Sequence, residues 1–210
     1  MKHKVLLSTA YLAPVQYYTK LISYDEIWIE AHENFIKQTF RNRCTIYGAN
    51  GALTLSIPIR KTARKMKINE VQIEYTTSWQ KLHWKSIESA YRSSPFFEFY
   101  ADDLLPFYTK KYDLLIDFNS ELQSTILKLL NIDIQINRTS SFNLDSLNEY
   151  DDFRYLIHPK KDLCDSDFYP CEYIQVFNSK YGYLPNLSII DLLFNTGNDA
   201  FSLLKCTRLK

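Results

Sequence analysis

Only four glycines occur in 210 residues. A phosphate cradle made of backbone N–H groups needs several, because the chain must approach the ligand where a Cβ would intrude. The sequence accordingly contains no G-x-x-x-x-G-K-[ST], no G-x-G-x-x-G and no G-x-S-x-G. Cysteine chemistry is equally thin. Cys44, Cys164, Cys171 and Cys206 form no C-x-x-C, no H-x-x-x-H pair occurs, and His158, Cys164 and Cys171 lack zinc-ligand spacing. The cysteines read as free thiols of a reducing compartment, and neither a metal nor a cofactor is expected. No apolar run approaches the roughly 18 residues of a membrane span. Lys2-His3-Lys4 leads into an apolar run too short for a signal peptide before Tyr11 and Pro14 interrupt it. The expectation is a cytoplasmic protein without a membrane span.

Charge of one sign is lacking too. A net charge of +1 argues against the broad basic footprint that nucleic-acid binding needs, so nucleic acid is not the expected partner. One local exception is Arg60–Lys67, RKTARKMK, which has no acidic residue. It reads either as a solvated loop or as a lid or anchor over a phosphate-bearing ligand.

What is present is a globular composition, 46% hydrophobic and 23% charged, with 16 Tyr and 13 Phe. The aromatic excess fits a core rich in large rings, or alternatively a recognition surface. The length suits one domain over 1–210, divided into an α/β core at 1–136, an irregular region at 137–186 and C-terminal helices at 187–210. Val5–Thr9 reads as a buried strand, Val15–Ile22 as a helix opened by Pro14, and Glu26–Ala31 as a second strand. The crossover makes this β-α-β unit parallel. Gly48-Ala49-Asn50-Gly51 between Arg43–Tyr47 and Ala52–Ile57 signals a hairpin. Ile68–Tyr75 alternates like a strand. Helices are expected at Trp79–Arg92 with Ser78 as cap, at Pro95–Leu105 and at Asn119–Leu130. A strand is expected at Ile132–Ile136, and a helical end near 187–205 with Gly197 closing a helix. The fold class is therefore α/β: a mixed sheet begun by a β-α-β unit, with flanking helices and a helical C-terminal part.

Candidate chemistry concentrates in EAHENFIKQTFRNR, Glu30–Arg43. Parallel strands end at one edge of their sheet, and ligands of open α/β sheets bind at that edge. His32 at the end of the second strand is a candidate general acid or base, oriented by Glu30. The dull alternative is a polar strand-end residue. Lys37, Arg41 and Arg43 suit a phosphate or carboxylate, with Asn42 adding an amide contact; the alternative is a solvated edge strand. Alternation in an extended segment places Arg41 and Arg43 on one face. Tyr11 is a candidate for orienting substrate. On the helix from Trp79, His83 falls on the apolar face with Trp79, Ile87 and Ala90, where a satisfied core histidine is the ordinary outcome. Arg92 belongs to a ladder with Lys85 and Glu88, which becomes a further anion contact only if that face turns to the sheet edge.

Taken together, several segments resemble the WbqC-like family of bacteria. They are Tyr11-Leu12-x-Pro14, Lys37-Gln38, Asn42-Arg43, Leu53-x-Leu55-x-Ile57-Pro58, Trp79 with His83, Tyr91-x-x-x-Pro95-x-Phe97, Tyr100 and the closing NLSIIDLLFNTG. The resemblance spans roughly 5–130 and 185–205. It implies a bacterial cytoplasmic protein linked with O-antigen or other surface-polysaccharide biosynthesis, but carries no defined catalytic mechanism. Ser8-Thr9-Ala10 stands where many members carry His-Gln-Pro, so the resemblance implies that this chain either lacks that histidine's role or uses His32 for it. The resulting expectation is an enzyme of sugar-nucleotide or polysaccharide-precursor metabolism, a transferase acting on a nucleotide sugar or another anionic small molecule. The alternative is a non-catalytic binding or adaptor protein in cell-envelope assembly.

Overall fold

A computed structural model of the protein describes residues 3–61, 65–141, 149–160 and 165–207. Strand β1 (Lys4–Ser8) runs through Val5, Leu6 and Leu7, each at most 2% exposed. Helix α1 (Val15–Leu21) follows, with Pro14 as its extended N-cap residue, a position where a missing N–H and a fixed φ are harmless. Strand β2 (Glu26–Glu30) then pairs in parallel with β1, Val5 opposite Ile27 and Ser8 opposite Glu30. The expected β-α-β unit is present.

Two short strands complete this sheet. β5 (Ile136–Arg138) adds in parallel to β2, and β6 (Asp151–Asp152) adds in parallel to β1. The order is β5-β2-β1-β6. The chain leaves β1 in one direction through β2 and β5, then returns to the opposite flank of β1 with β6. The carboxyl ends of β1 and β6 therefore border a topological switch point, where α/β sheets open a crevice. The antiparallel part is separate: β3 (Arg43–Gly48) and β4 (Gly51–Ser56) form a hairpin of their own. Gly51, at φ 99°, supplies the left-handed residue that closes this turn, and Asn50 does not.

Helices α2 (Trp79–Tyr91), α3 (Phe97–Leu104) and α4 (Leu115–Leu129) flank these sheets. The short helix α5 (Asn178–Tyr181) precedes the C-terminal pair α6 (Ile189–Thr196) and α7 (Ala200–Cys206). The architecture is α/β, with parallel and antiparallel β structure, flanking helices and a helical C-terminal region. The apolar face expected for α2 is the buried one: Trp79, His83, Ile87 and Ala90 are at most 3% exposed. Gly197 closes α6 with φ 54°.

Several boundaries differ from the sequence reading. Ile68–Tyr75 is not a strand but a 3-10 turn, Ile68–Glu70, followed by extended chain with single bridges Ile59–Ile73 and Gln72–Leu114. Its alternation reflects burial of Ile68, Val71 and Ile73 next to α4, where Leu115 N–H donates to the Val71 carbonyl. Ser78 stands at the α2 N-cap but makes no capping bond, and Phe96 precedes α3. α4 starts four residues before Asn119, which lies inside it; its Nδ2 donates to Thr9 Oγ1 (3.1 Å) and to the Arg41 carbonyl (2.8 Å). The irregular region contributes β6, a strand too short to announce itself by periodicity. Cys44, Cys171 and Cys206 are free thiols, and Cys164 lies outside the described residues. Among the described residues no helix is long and apolar enough to cross a membrane.

Candidate functional site

The switch point is filled by ionic side chains that satisfy one another. Arg41 donates from Nε to Glu33 Oε1 (2.8 Å) and from Nη2 to Glu33 Oε2 (2.6 Å) and Ser8 Oγ (2.6 Å). Arg154, two residues past β6, donates from Nε and Nη2 to Asp152 (3.0 and 2.8 Å) and from Nη1 to Glu30 Oε2 (3.4 Å). Burial opposes the Arg154 charge, yet the Asp152 carboxylate more than offsets it and raises the guanidinium above its ordinary pKa. The half-exposed Tyr155 ring covers both guanidiniums, 5.9 Å from Arg41 and 5.5 Å from Arg154. Three carboxylates and two guanidiniums leave no excess positive charge. The remaining void, between Ser8, Thr9, Tyr17, Arg41 and Arg154, is about 10 Å³, enough for one water at most.

A second cavity is quite different. Two segments, one running from Phe35 to Arg43 and one from Ile57 to Met66, are tied together at both ends. Phe35 N–H donates to the Met66 carbonyl (2.9 Å), Ile57 N–H to the Asn42 carbonyl (2.8 Å), and Asn42 Nδ2 to the Ile57 carbonyl (2.8 Å). Between them lies an open cleft of about 740 Å³. Lys37, Arg43, Arg60, Lys61 and Lys65 line it, with no carboxylate among the described lining residues. Phe35, Ile57, Ile59 and Met66 supply an apolar wall. None of the five cations forms an ion pair among the described residues; Arg60 bonds the neutral amide of Gln72 (3.0 Å). Seven other described cations, Lys4, Lys20, Arg41, Arg92, Lys110, Arg138 and Arg154, are ion-paired; what sets the cleft apart is that five cations line one cavity together. Arg43 Nε is enclosed without a partner. Gln38, on the rim, holds a left-handed backbone at φ 61° and accepts a hydrogen bond from Lys160 Nζ. A non-glycine residue in that conformation costs on the order of 1 kcal/mol.

The residues singled out from sequence fall in five places. Lys37, Asn42 and Arg43 converge on the cleft, joined by cations of the Arg60–Lys67 segment, of which residues 62–64 lie outside the described ones. Glu30 and Arg41 sit at the switch point. Glu30 is 2% exposed and accepts bonds from the His32 N–H (2.7 Å), Thr139 Oγ1 (2.8 Å) and Arg154. Arg41 and Arg43 do not share a face: β3 begins at Arg43, so strand alternation does not reach Arg41. His32 is half-buried beside both, its Nδ1 3.4 Å from Asn69 Nδ2, and lines neither cavity.

Tyr11 and His83 lie in the core, 0% and 3% exposed. Tyr11 Oη is 3.0 Å from His83 Nδ1 and 3.0 Å from Tyr108 Oη. Burial pulls the His83 pKa down to about 4, so the ring is neutral near pH 7. Arg92 is 73% exposed in its side chain, pairs with Glu88 (3.7 Å) and lines neither cavity. The sequence reading overlooked Arg154, which sits in the least periodic stretch; only the preceding Asp151-Asp152 hinted at structure there. Among the described residues no group of three or more His, Cys, Asp or Glu side chains could hold a metal ion.

The sequence profile of the WbqC-like protein family matches residues 9–163, a span that contains every lining residue of the cleft. Rv1507c, an uncharacterised protein of Mycobacterium tuberculosis, is 26% identical over 235 aligned positions, covering 99% of this chain and 100% of that protein. No solved structure matches the chain.

Proposed function

The chain belongs to the WbqC-like protein family, and from that premise we propose that it is a transferase of sugar-nucleotide or surface-polysaccharide precursor biosynthesis that binds the anionic group of its substrate in the five-cation cleft. The observation that carries this reading is convergence: five cations line one cavity whose described lining holds no carboxylate. Unpaired like charges repel one another, and an incoming phosphate relieves that repulsion while gaining charge-assisted hydrogen bonds. Arg43 offers a planar fork, and Lys37, Lys61 and Lys65 offer point charges. Asn42 fixes the floor through its bond to the Ile57 carbonyl. In this reading His32 handles the proton, with Glu30 holding its backbone N–H. Arg41 acts indirectly, by fixing Glu33 beneath the segment that carries Lys37.

A second reading, a non-catalytic binding protein of the cell envelope, draws on a different observation. The described lining of the cleft contains no Asp, Glu, His, Cys, Ser, Thr or Tyr, which leaves its lysines as the only side chains of the usual general acid–base set there. Calorimetric titration with a nucleotide sugar tests what the two readings share. Micromolar binding that weakens at least tenfold in Arg43→Ala and falls with added salt supports the cleft. Failure of every phosphate-bearing ligand to bind folded protein removes it. Turnover lost in His32→Ala with binding retained supports the transferase; binding without any turnover leaves the binding protein.

A further inference from the structure

We infer that the cleft recognises a diphosphate, and that its selectivity ends there, the remainder of the ligand being held by apolar contact without being read. This rests on the cleft being the binding site, and it specifies what binds.

The cations come from two segments. Lys37 lies in the connection between β2 and β3 and Arg43 is the first residue of β3, whereas Arg60, Lys61 and Lys65 follow β4. The two segments are tied at both ends of the cleft, so its charges form two groups on either side of a shared gap. One carboxylate, or one phosphate monoester with about −1.5 to −2 charge, leaves most of five cations uncompensated. Two linked phosphoryl groups present oxygen acceptors to both sides at once. The volume of about 740 Å³ also exceeds what inorganic phosphate fills and lies within the range of small-molecule sites.

Reading a ribose or a base takes acceptors and donors placed for their hydroxyl and N–H groups. The described lining offers no carboxylate and only two side-chain amides, those of Gln38 and Asn42. Each is half engaged: Asn42 Nδ2 donates to the Ile57 carbonyl while its Oδ1 is enclosed without a partner, and Gln38 Oε1 accepts from Lys160. For the rest of the ligand the lining offers, beside the exposed Gln38 amide, mainly the side chains of Phe35, Ile57, Ile59 and Met66, which accept any flat or apolar group. A nucleoside and an isoprenyl chain both satisfy that description, and the shared chemistry is the diphosphate ester.

The experiment is isothermal titration of the full chain, without divalent cations, using inorganic pyrophosphate, UDP, ADP, UMP, AMP, a glucuronate and a short isoprenyl diphosphate. UDP and ADP are expected within about threefold of each other, and UMP and AMP at least tenfold weaker than their diphosphates. Arg43→Ala and Lys61→Ala, one from each segment, should each cut that diphosphate preference to threefold or less, with unchanged thermal midpoints as the folding control. Tighter binding of the isoprenyl ligand than of UDP assigns the source as lipid-linked, and the reverse assigns a nucleotide. Monophosphates or glucuronate binding as tightly as diphosphates overturn the inference, as does a preference above tenfold for one base. If nothing binds, pyrophosphate included, the cleft itself is not the binding site, a result distinct from the loss of diphosphate selectivity.

Discussion

Arg41 and Glu33 face each other in a two-point ion pair with both side chains at most 3% exposed. Ser8 on β1 takes the third contact from the same guanidinium, so the pair joins the end of the parallel sheet to the segment that carries Lys37 and Gln38. Removing one member leaves the other charged, buried and alone, which costs about 3–5 kcal/mol. Glu33→Ala and Arg41→Ala should therefore each lower stability by an amount of that order, measured from urea midpoints. The double variant should be far less destabilised than the sum, because no orphan charge remains. Additive losses would show that the two side chains act independently.

His83 carries a pH signature. Its folded pKa, about 4, lies below the ordinary value of 6.5 because burial disfavours the imidazolium. Between those values the unfolded chain binds more protons than the folded one, so stability falls as pH falls through that window. The shift corresponds to about 3 kcal/mol at most. His83→Gln has no such group to protonate. The stability advantage of the native protein over this variant should narrow between pH 6.5 and pH 4. Parallel curves would place His83 in a solvated setting. The ring is enclosed with Tyr11 and Tyr108.

The elements legible in the sequence are those whose burial is regular. The apolar runs of β1 and β2, Pro14, the Gly48–Gly51 turn and the apolar face of α2 each follow from one local rule. β6 was illegible because two residues carry no period, and Ile68–Tyr75 misled because side chains turned toward a helix mimic strand alternation. Asn119 is expected from sequence to open a helix, but its amide is spent inside α4 on Thr9 and the Arg41 carbonyl, partners remote in sequence. Two cations of the dense Lys37–Arg43 stretch, Lys37 and Arg43, line the candidate cleft. What sequence could not show was that Arg41 turns inward to Glu33 while Arg43 turns to a cleft completed by Arg60, Lys61 and Lys65. Charge pairing is a tertiary property, and neighbouring cations divide according to it.

Gly197 offers a test of backbone conformation against steric fit. Its φ of 54° is left-handed, and a Cβ there would lie 2.6 Å from two atoms of the Phe96 ring. The backbone alone makes Gly197→Ala cost about 1–2 kcal/mol, and the collision adds to it. In a Phe96→Ala background only the backbone share should persist. Thermal midpoints of the four proteins measure both parts. An equal penalty in both backgrounds would mean that the Phe96 ring moves aside freely.

Asp191 on α6 gives a pH response opposite to that of His83. Its carboxylate is 0% exposed and accepts hydrogen bonds from Tyr91 Oη (2.9 Å), Tyr173 Oη (2.7 Å) and Gln175 Nε2 (2.8 Å), all neutral donors. Tyr91 Oη in turn accepts from the Tyr47 N–H on β3 (3.0 Å), so this one carboxylate links α6, α2, the hairpin and the 173–175 segment. Burial raises its pKa above the ordinary 3.8, against the pull of the three donors. Above 3.8 and up to that raised value the folded protein holds the proton more tightly than the unfolded chain, so stability increases as pH falls through the window. Asp191→Asn removes the titration while keeping the size of the side chain. The native protein should gain on this variant as the medium is acidified toward pH 4, the reverse of the comparison with His83→Gln. Urea midpoints across the same pH series measure both, and a gap between native and Asp191→Asn that shrinks on acidification would mean that the hydrogen bonds, not burial, set the ionisation of this group.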